Sequence, residues 1–313
     1  MTNKMTEKYD CLENFSSFYK YLKVLGKGSF GKVVKAVDLF SNQVCAVKVI
    51  SKKQLNQEEI QNIRNEAQVL SQLQHPNVIK FLHLRESESC IFLAMEYAKA
   101  GTLQKLMERK RFSENKARKV MQGLLSAVEY LHTNGIAHRD IKPENILVVD
   151  IKSLWVKLAD FGLCVELHSY SQVIELCGTI IYMAPEQAKR QMYSKEVDLW
   201  ACGTILYMLL STQHPLFCKT DTAEVYIKKL TNPKWEFPNS FPDLAKNLFL
   251  RLCKLKPIER YSAKQALVHP WVLNQNTPVP LTYIEQKRLF DDYLKLRSVL
   301  YSVLFCSLVM KKH

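Results

Sequence analysis

The sequence predicts an α+β protein of two lobes: a small β-rich N-lobe with one main helix, then a larger, mostly helical C-lobe. Three observations predict it. The chain has 313 residues, enough for two lobes with a substantial core each. Apolar residues alternate with polar ones in its first part and recur at helical spacing in the rest. The texture changes near Glu96 to Lys99, and strands first with helices after is the α+β pattern.

The elements follow in order. Residues 1–18 carry little pattern and read as a leader. Alternation from Tyr19 to Leu25 predicts a strand, the run Gly26-Lys27-Gly28-Ser29-Phe30-Gly31 a turn, and Val33 to Val37 and Val44 to Ile50 two more strands. Asn56 and Glu59 have the spacing of a capping box. Ile60, Ile63, Ala67, Leu70 and Leu73 then recur as one helix face, which Pro76 is expected to end. Strand-like runs return at Val78 to Leu84 and Cys90 to Glu96. Beyond them Ser113 is expected to cap a helix with the stripe Ala117, Val120, Met121, Leu124, Val128 and Leu131, stopped by Asn134-Gly135. Val197 to Leu210 is almost wholly apolar and predicts a buried helix, shorter than the roughly 20 residues of a membrane span. Thr222 to Leu230, Pro242 to Leu252 and Ser262 to Val268 predict further helices. Pro278 and Pro280 mark a linker. Thr282 and Glu285 then open a last, basic helix with Leu289, Tyr293, Leu296, Leu300 and Val303 along one seam.

Composition narrows the classes. Hydrophobic residues at 47% and charged residues at 24% are ordinary for a globular protein. The start has no basic-then-apolar signal segment, so a cytoplasmic protein is expected, with nuclear access left open. The nine cysteines show no paired metal spacing; Cys45, Cys202 and Cys253 lie in apolar runs and read as core, which fits a reducing setting. The net charge of +14 raises nucleic-acid binding, but the basic residues are dispersed and no zinc-finger or RNA-recognition signature accompanies them, so no nucleic acid is expected.

The chemistry concentrates in His138-Arg139-Asp140-Ile141-Lys142-Pro143-Glu144-Asn145, followed by Asp160-Phe161-Gly162. Asp140 can accept a proton from an attacking hydroxyl, and Lys142 can neutralise a transferring phosphoryl group. Asn145 and Asp160 can offer oxygens to Mg²⁺, a hard ion. The glycine-rich run lets backbone approach phosphates without a Cβ in the way, and it precedes a strand rather than a helix, which argues against a dinucleotide fold. Of the acidic residues on the helix after Asn56, only Glu66 falls within the apolar periodicity, so it points inward and needs a cationic partner, for which Lys48 is the candidate.

These motifs resemble those of the eukaryotic serine/threonine protein kinases over Tyr19 to Val272. Lys142, two residues after Asp140, resembles the serine/threonine branch, while Asp160-Phe161-Gly162-Leu163, Cys177-Gly178-Thr179 and His269-Pro270-Trp271 look most like the calcium/calmodulin-dependent group. The resemblance implies a two-lobed protein-kinase fold with an N-lobe over 19–95, a hinge over 96–99, a C-lobe over 100–272, and a linker with an amphipathic helix over 273–313. It implies ATP and Mg²⁺ as cofactors and serine or threonine hydroxyls of proteins as substrates. By it, Asp140 and Lys142 are catalytic, and Asn145 and Asp160 hold the metal. Gly26, Lys27, Gly28, Ser29, Phe30 and Gly31 cover the phosphates, and Lys48, partnered by Glu66, holds the α- and β-phosphates. Val33, Ala46 and Leu147 sandwich the adenine; Glu96, Tyr97 and Ala98 bond it from the hinge; Met95 limits the rear pocket; Leu25 and Glu144 complete the ATP site. Glu186 is expected to pair with Arg260, Asp198 to brace the catalytic loop, and Thr179 to bond Asp140 and Lys142.

The chain also departs from that pattern. Glu175 stands four residues before Thr179, where relatives commonly carry a phosphorylatable threonine; two readings stand side by side, a carboxylate in place of phosphate beside Arg139, or an exposed loop glutamate with no partner. Ser169, Tyr170 and Ser171 remain candidate regulatory sites. The helix after the hinge begins Gly101-Thr102, where basophilic kinases carry an acidic residue, leaving Glu144 as one handle for a basic substrate. The basic tail resembles a calmodulin-binding regulatory segment; a helix docked permanently on the large lobe, a coiled coil and a membrane-surface anchor are the other readings. A pseudokinase that binds nucleotide without transfer is the alternative to an active enzyme, although Lys48, Asp140, Asn145 and Asp160 are all retained.

Overall fold

The computed structural model describes residues 15–28, 31–109, 111–166, 178–218 and 220–274. The N-lobe is a five-stranded antiparallel sheet in the order β1-β2-β3-β5-β4. Its strands are β1 (Tyr19–Gly28), β2 (Gly31–Asp38), β3 (Val44–Ser51), β4 (Phe81–Glu86) and β5 (Cys90–Glu96). One helix, α1 (Gln57–Gln72), lies between β3 and β4 in sequence. Its capping box forms as the spacing predicted: Glu59 N–H donates to Asn56 Oδ1 and Asn56 N–H to Glu59 Oε2, both at 2.8 Å.

The C-lobe is mostly helical. After α2 (Leu103–Arg109) comes α3 (Glu114–Thr133), whose predicted stripe of six apolar residues is buried throughout. Two small antiparallel pairs carry the functional loops: β6 (Ile136–Ala137) with β9 (Val165–Glu166), and β7 (Ile146–Asp150) with β8 (Trp155–Leu158). Then follow α4 (Pro185–Ala188), α5 (Glu196–Ser211), α6 (Ala223–Thr231), α7 (Asp243–Leu252), α8 (Ala263–Leu267) and α9 (Pro270–Leu273). α5 is buried almost all round, as its unbroken apolar run predicted, and it packs on α3 and α7. At Gly203 an added Cβ would lie 2.4 Å from Cys253 Sγ, so α5 and α7 meet where the side chain is smallest.

Several boundaries differ from the sequence expectation, each because of a distant contact. α1 ends at Gln72, four residues before Pro76, because Gln74 N–H donates to Tyr130 Oη at 2.9 Å and His75 stacks on the Tyr130 ring. β4 begins at Phe81 rather than Val78, since Val78 pairs with Leu158 and Ile79 N–H donates to Leu158 O across to the C-lobe. Ser113 precedes α3 but makes no side-chain cap; instead Trp271 Nε1 donates to Glu114 and Arg118 Nε donates to Trp271 O, fixing that end from α9. The leader does not extend to residue 18: Phe15 is 4% exposed and packs on Tyr19 and Phe92 in the outer core of the N-lobe. The short pairs β6–β9 and β7–β8 have too few residues for a periodic signal.

Among the described residues no helix is long and apolar enough to cross a membrane.

Candidate active site

Asp198, at the start of α5, organises the loop after β6. Its Oδ1 accepts from Arg139 N–H, and its Oδ2 accepts from His138 N–H and faces His132 Nε2, all at 2.9 Å. Burial alone would raise this carboxyl, but the His132 bond and the backbone donors outweigh it and hold it below the ordinary range. The brace allows an unfavourable backbone: Arg139 has φ 66°, a left-handed conformation that costs about 1–3 kcal/mol and persists only where the surroundings enforce it. Gly178 is fitted to the same loop, with φ 96° and a virtual Cβ only 2.7 Å from Arg139 O. His138 is fully buried and neutral, its basicity lowered by burial; Nε2 faces Ala159 O at 3.1 Å and Nδ1 accepts from Asp140 N–H at 3.3 Å.

Four donors aim Asp140, two from the loop and two from Thr179. Lys142 Nζ reaches its Oδ2 at 2.7 Å and Asn145 Nδ2 the same oxygen at 2.9 Å. Thr179 donates to Oδ1 from N–H at 3.2 Å and from Oγ1 at 3.1 Å, while Lys142 Nζ also donates to Thr179 Oγ1 at 2.8 Å. The bonds expected from Thr179 to Asp140 and Lys142 are both present. Across from them, Lys48 Nζ lies 3.1 Å from Asp160 Oδ1 and 3.7 Å from Glu66 Oε1. Burial would lower the Lys48 ammonium, yet the Glu66 and Asp160 carboxylates outweigh it and raise its pKa, so it is charged. Burial would likewise raise the Asp160 carboxyl; the Lys48 charge and hydrogen bond hold it below its usual value. Asp160 itself has φ 62°, and the next residue, Phe161, is buried against His138, which keeps the carboxylate on the cleft side.

The cleft between the lobes has a volume of about 870 Å³. Leu25, Gly26, Val33, Ala46, Lys48, Glu66, Met95, Glu96, Tyr97, Ala98, Lys142, Glu144, Asn145, Leu147 and Asp160 all line it, fifteen of the predicted site residues in one space. Asp140 lies behind Lys142 and Asn145, beside Thr179. Gly31 packs on the sheet instead: a Cβ there would overlap Val49 O. The backbone of Lys27 and Gly28 ends β1, and Ser29 and Phe30 lie outside the described residues. So do Ser169, Tyr170, Ser171, Glu175 and the tail beyond Asn274. Arg139 bonds Leu163 O and Tyr193 Oη within the described part.

Sequence reasoning missed some of the wall. Leu70, Ile79, Ala159 and Phe161 add apolar surface at the rear; Ala159 and Phe161 flank Asp160 and were the easiest to find. His132 was also missed, because nothing near it in sequence marks it as a partner of Asp198. Glu186 and Arg260 form the expected pair, Arg260 Nη1 to Oε1 at 2.6 Å and Nη2 to Oε2 at 2.7 Å, both residues buried.

The family model described as protein kinase domain matches residues 19–272. A probable myosin light chain kinase of Dictyostelium discoideum is 40% identical over 263 residues, covering 82% of this chain and 54% of the relative. Serine/threonine-protein kinase 33 of Bos taurus is 35% identical over 272 residues, covering 81% and 55%. The calcium/calmodulin-dependent protein kinase type II of Caenorhabditis briggsae is 35% identical over 269 residues, covering 83% and 50%. The chain thus spans about half the length of these relatives.

Proposed function

The chain belongs to the protein kinase family, and we propose that it transfers the γ-phosphoryl group of ATP to serine and threonine hydroxyls of protein substrates. One observation carries this reading: Asp140, Lys142, Asn145 and Thr179 form a closed hydrogen-bonded set that opens on the cleft holding Lys48, Glu66 and Asp160. A relative named as a serine/threonine-protein kinase supports the substrate hydroxyl.

The residues present fit ATP and Mg²⁺. Mg²⁺ commonly takes one or two protein oxygens and completes its shell with phosphates and water. Asn145 commits Nδ2 to Asp140, which leaves its Oδ1 for a cation, and Asp160 is kept ionised by Lys48. When bound, ATP and Mg²⁺ supply the phosphoryl group and the charge that neutralises it. The chain's own groups do the rest. Val33, Ala46 and Leu147 present apolar faces for the base, with Met95 limiting the depth. Lys48 presents its ammonium toward the phosphates, and Glu66 fixes where it stands. Asp140 accepts the proton of the incoming hydroxyl at Oδ1 or Oδ2, and Lys142 neutralises charge beside it. A pseudokinase would be expected to have lost one of Lys48, Asp140, Asn145 or Asp160; all four stand in one connected site, which favours transfer.

The test uses radiolabelled ATP and a general protein substrate. Asp140→Asn is expected to keep its thermal unfolding midpoint within a few degrees and to lower turnover by roughly 100-fold or more. Equal turnover by wild type and variant overturns the reading.

For the basic tail, the calmodulin-linked name of one relative favours a regulatory helix over a permanently docked one. α9 runs to Leu273 with Asn274 as its cap, so the informative truncation follows Asn274 and keeps buried Trp271 and Val272. Regulation predicts a folded, more active truncation, and a shift of a 282–313 peptide by Ca²⁺-calmodulin on a native gel. An unstable truncation and no shift would favour the permanent helix.

A further inference from the structure

The cleft holds two sets of charges. The deep ones are matched: Lys48 by Glu66 and Asp160, Lys142 by Asp140, and Glu96 by Lys157. The rim is different. Lys23, Lys99, Lys105 and Arg109 line it, against Glu108 and Glu144, and all six are exposed. None of the four cations forms an ion pair with another described residue. Lys105 and Arg109 stand four apart on α2, so two like charges neighbour each other along one helix face. The carboxylate of that helix does not answer them: Glu108 Oε1 accepts from Gln104 Nε2 at 2.9 Å. The sequence carries the basic run on through Lys110 and Arg111.

The position of this rim matters. α2 lies against the turn Pro143–Asn145, the last part of the catalytic loop. A peptide whose hydroxyl reaches Asp140 therefore carries neighbouring residues past α2. Resting on the transferase reading above, we propose that this enzyme phosphorylates serine and threonine residues set in acidic sequence, with Lys105 and Arg109 receiving the flanking carboxylates. Carboxylates on the peptide relieve the repulsion between the two rim cations, and basic flanks add to it. The net charge of +14 draws the same substrates from a distance. Glu144 is a single exposed carboxylate beside the loop and accommodates one basic residue rather than a basic run.

The experiment is steady-state kinetics of the full chain with Mg²⁺-ATP. Three peptides share one phosphoacceptor core and carry Asp/Glu, Ala or Arg/Lys flanks on either side. The acidic set is expected to show a kcat/KM about tenfold above the basic set, mainly through KM, with the gap narrowing as salt rises from about 0.05 M to about 0.5 M. The Lys105→Glu/Arg109→Glu variant is expected to reverse the ranking. Equal kcat/KM for the three sets, a wild-type preference for basic flanks, or an unchanged ranking in a folded double variant overturns the inference while leaving the transferase reading intact. No turnover of any peptide or of a general protein substrate overturns both.

Discussion

Arg260 and Glu186 form a two-pronged pair with almost no access to water, the Arg260 side chain at 0% and Glu186 at 6% exposure. The guanidinium also donates to Lys254 O and Glu196 O, so it ties three segments of the C-lobe. A buried pair of this kind adds little net stability when formed, but losing one partner strands a charge. Arg260→Ala is expected to cost about 3–5 kcal/mol. Arg260→Met with Glu186→Leu should cost clearly less than that single change, because no bare charge is left. Urea unfolding of the two variants checks this, and a double variant less stable than Arg260→Ala would refute it. Lys48 differs in setting: its two carboxylate neighbours keep it charged on the wall of an open cleft rather than inside the packed C-lobe.

At the scale of elements, the meeting of α5 with α7 is set by one missing side chain. Gly203 sits against Cys253 and Leu252, where a Cβ would approach Sγ to 2.4 Å and the Leu252 Cβ to 3.1 Å. Gly203→Ala raises helix propensity by about 1 kcal/mol in isolation, yet the overpacked contact is expected to outweigh it, destabilising the domain by about 1–3 kcal/mol. Denaturant midpoints decide it; a variant as stable as wild type would mean the two helices can slide apart freely. The short turn Ile180–Tyr182 after Thr179 forms the floor beside Asp140 and is likewise held by other elements rather than by its own sequence. Ile181 O accepts from His214 at 2.8 Å, in the loop after α5, and from Tyr226 Oη at 2.7 Å, on α6. Tyr226→Phe removes one of these two donors and is expected to weaken the floor by about 1 kcal/mol, seen as a higher KM for peptide with an unchanged KM for ATP.

For the whole molecule, two histidines make stability depend on acid. Burial lowers His214 from 6.5 to about 4; for His269, burial and then the nearby Arg251 charge lower it from 6.5 to about 4. In the unfolded chain both rings take up a proton near the ordinary value of about 6.5. Between about pH 6.5 and 4 the unfolded state therefore binds more protons, and stability falls as pH drops through that window. The loss amounts to at most roughly 3 kcal/mol for each ring at the acid end. Thermal melts over the window should show the decline, and His214→Asn with His269→Asn should make it shallower, leaving the part that buried His138 contributes in the same direction. His269 Nδ1 accepts from Trp271 N–H at the start of α9, a role asparagine can keep. An equally steep decline in the double variant would refute the assignment.

The sequence by itself determined the parts that depend on neighbours along the chain. The capping box at Asn56, the stripe of α3, the apolar run of α5 and the short motifs around Asp140 and Asp160 are local patterns, and local patterns survive without knowledge of the fold. They were enough to place most of the site, because each motif holds its residues at fixed spacing on one loop. The tertiary structure decided what depends on partners far away. It ended α1 at Gln72 through Tyr130, took Val78 and Ile79 out of the sheet to meet Leu158, and brought Phe15 into the N-lobe core. It joined His132 to Asp198 and His214 to Ile181 across 66 and 33 residues of chain. Helix periodicity had already pointed Glu66 at Lys48, but only the tertiary structure added Asp160 to that pair, matched Glu96 with Lys157 and left the rim cations without a carboxylate among the described residues, since pairing is a property of distance in space.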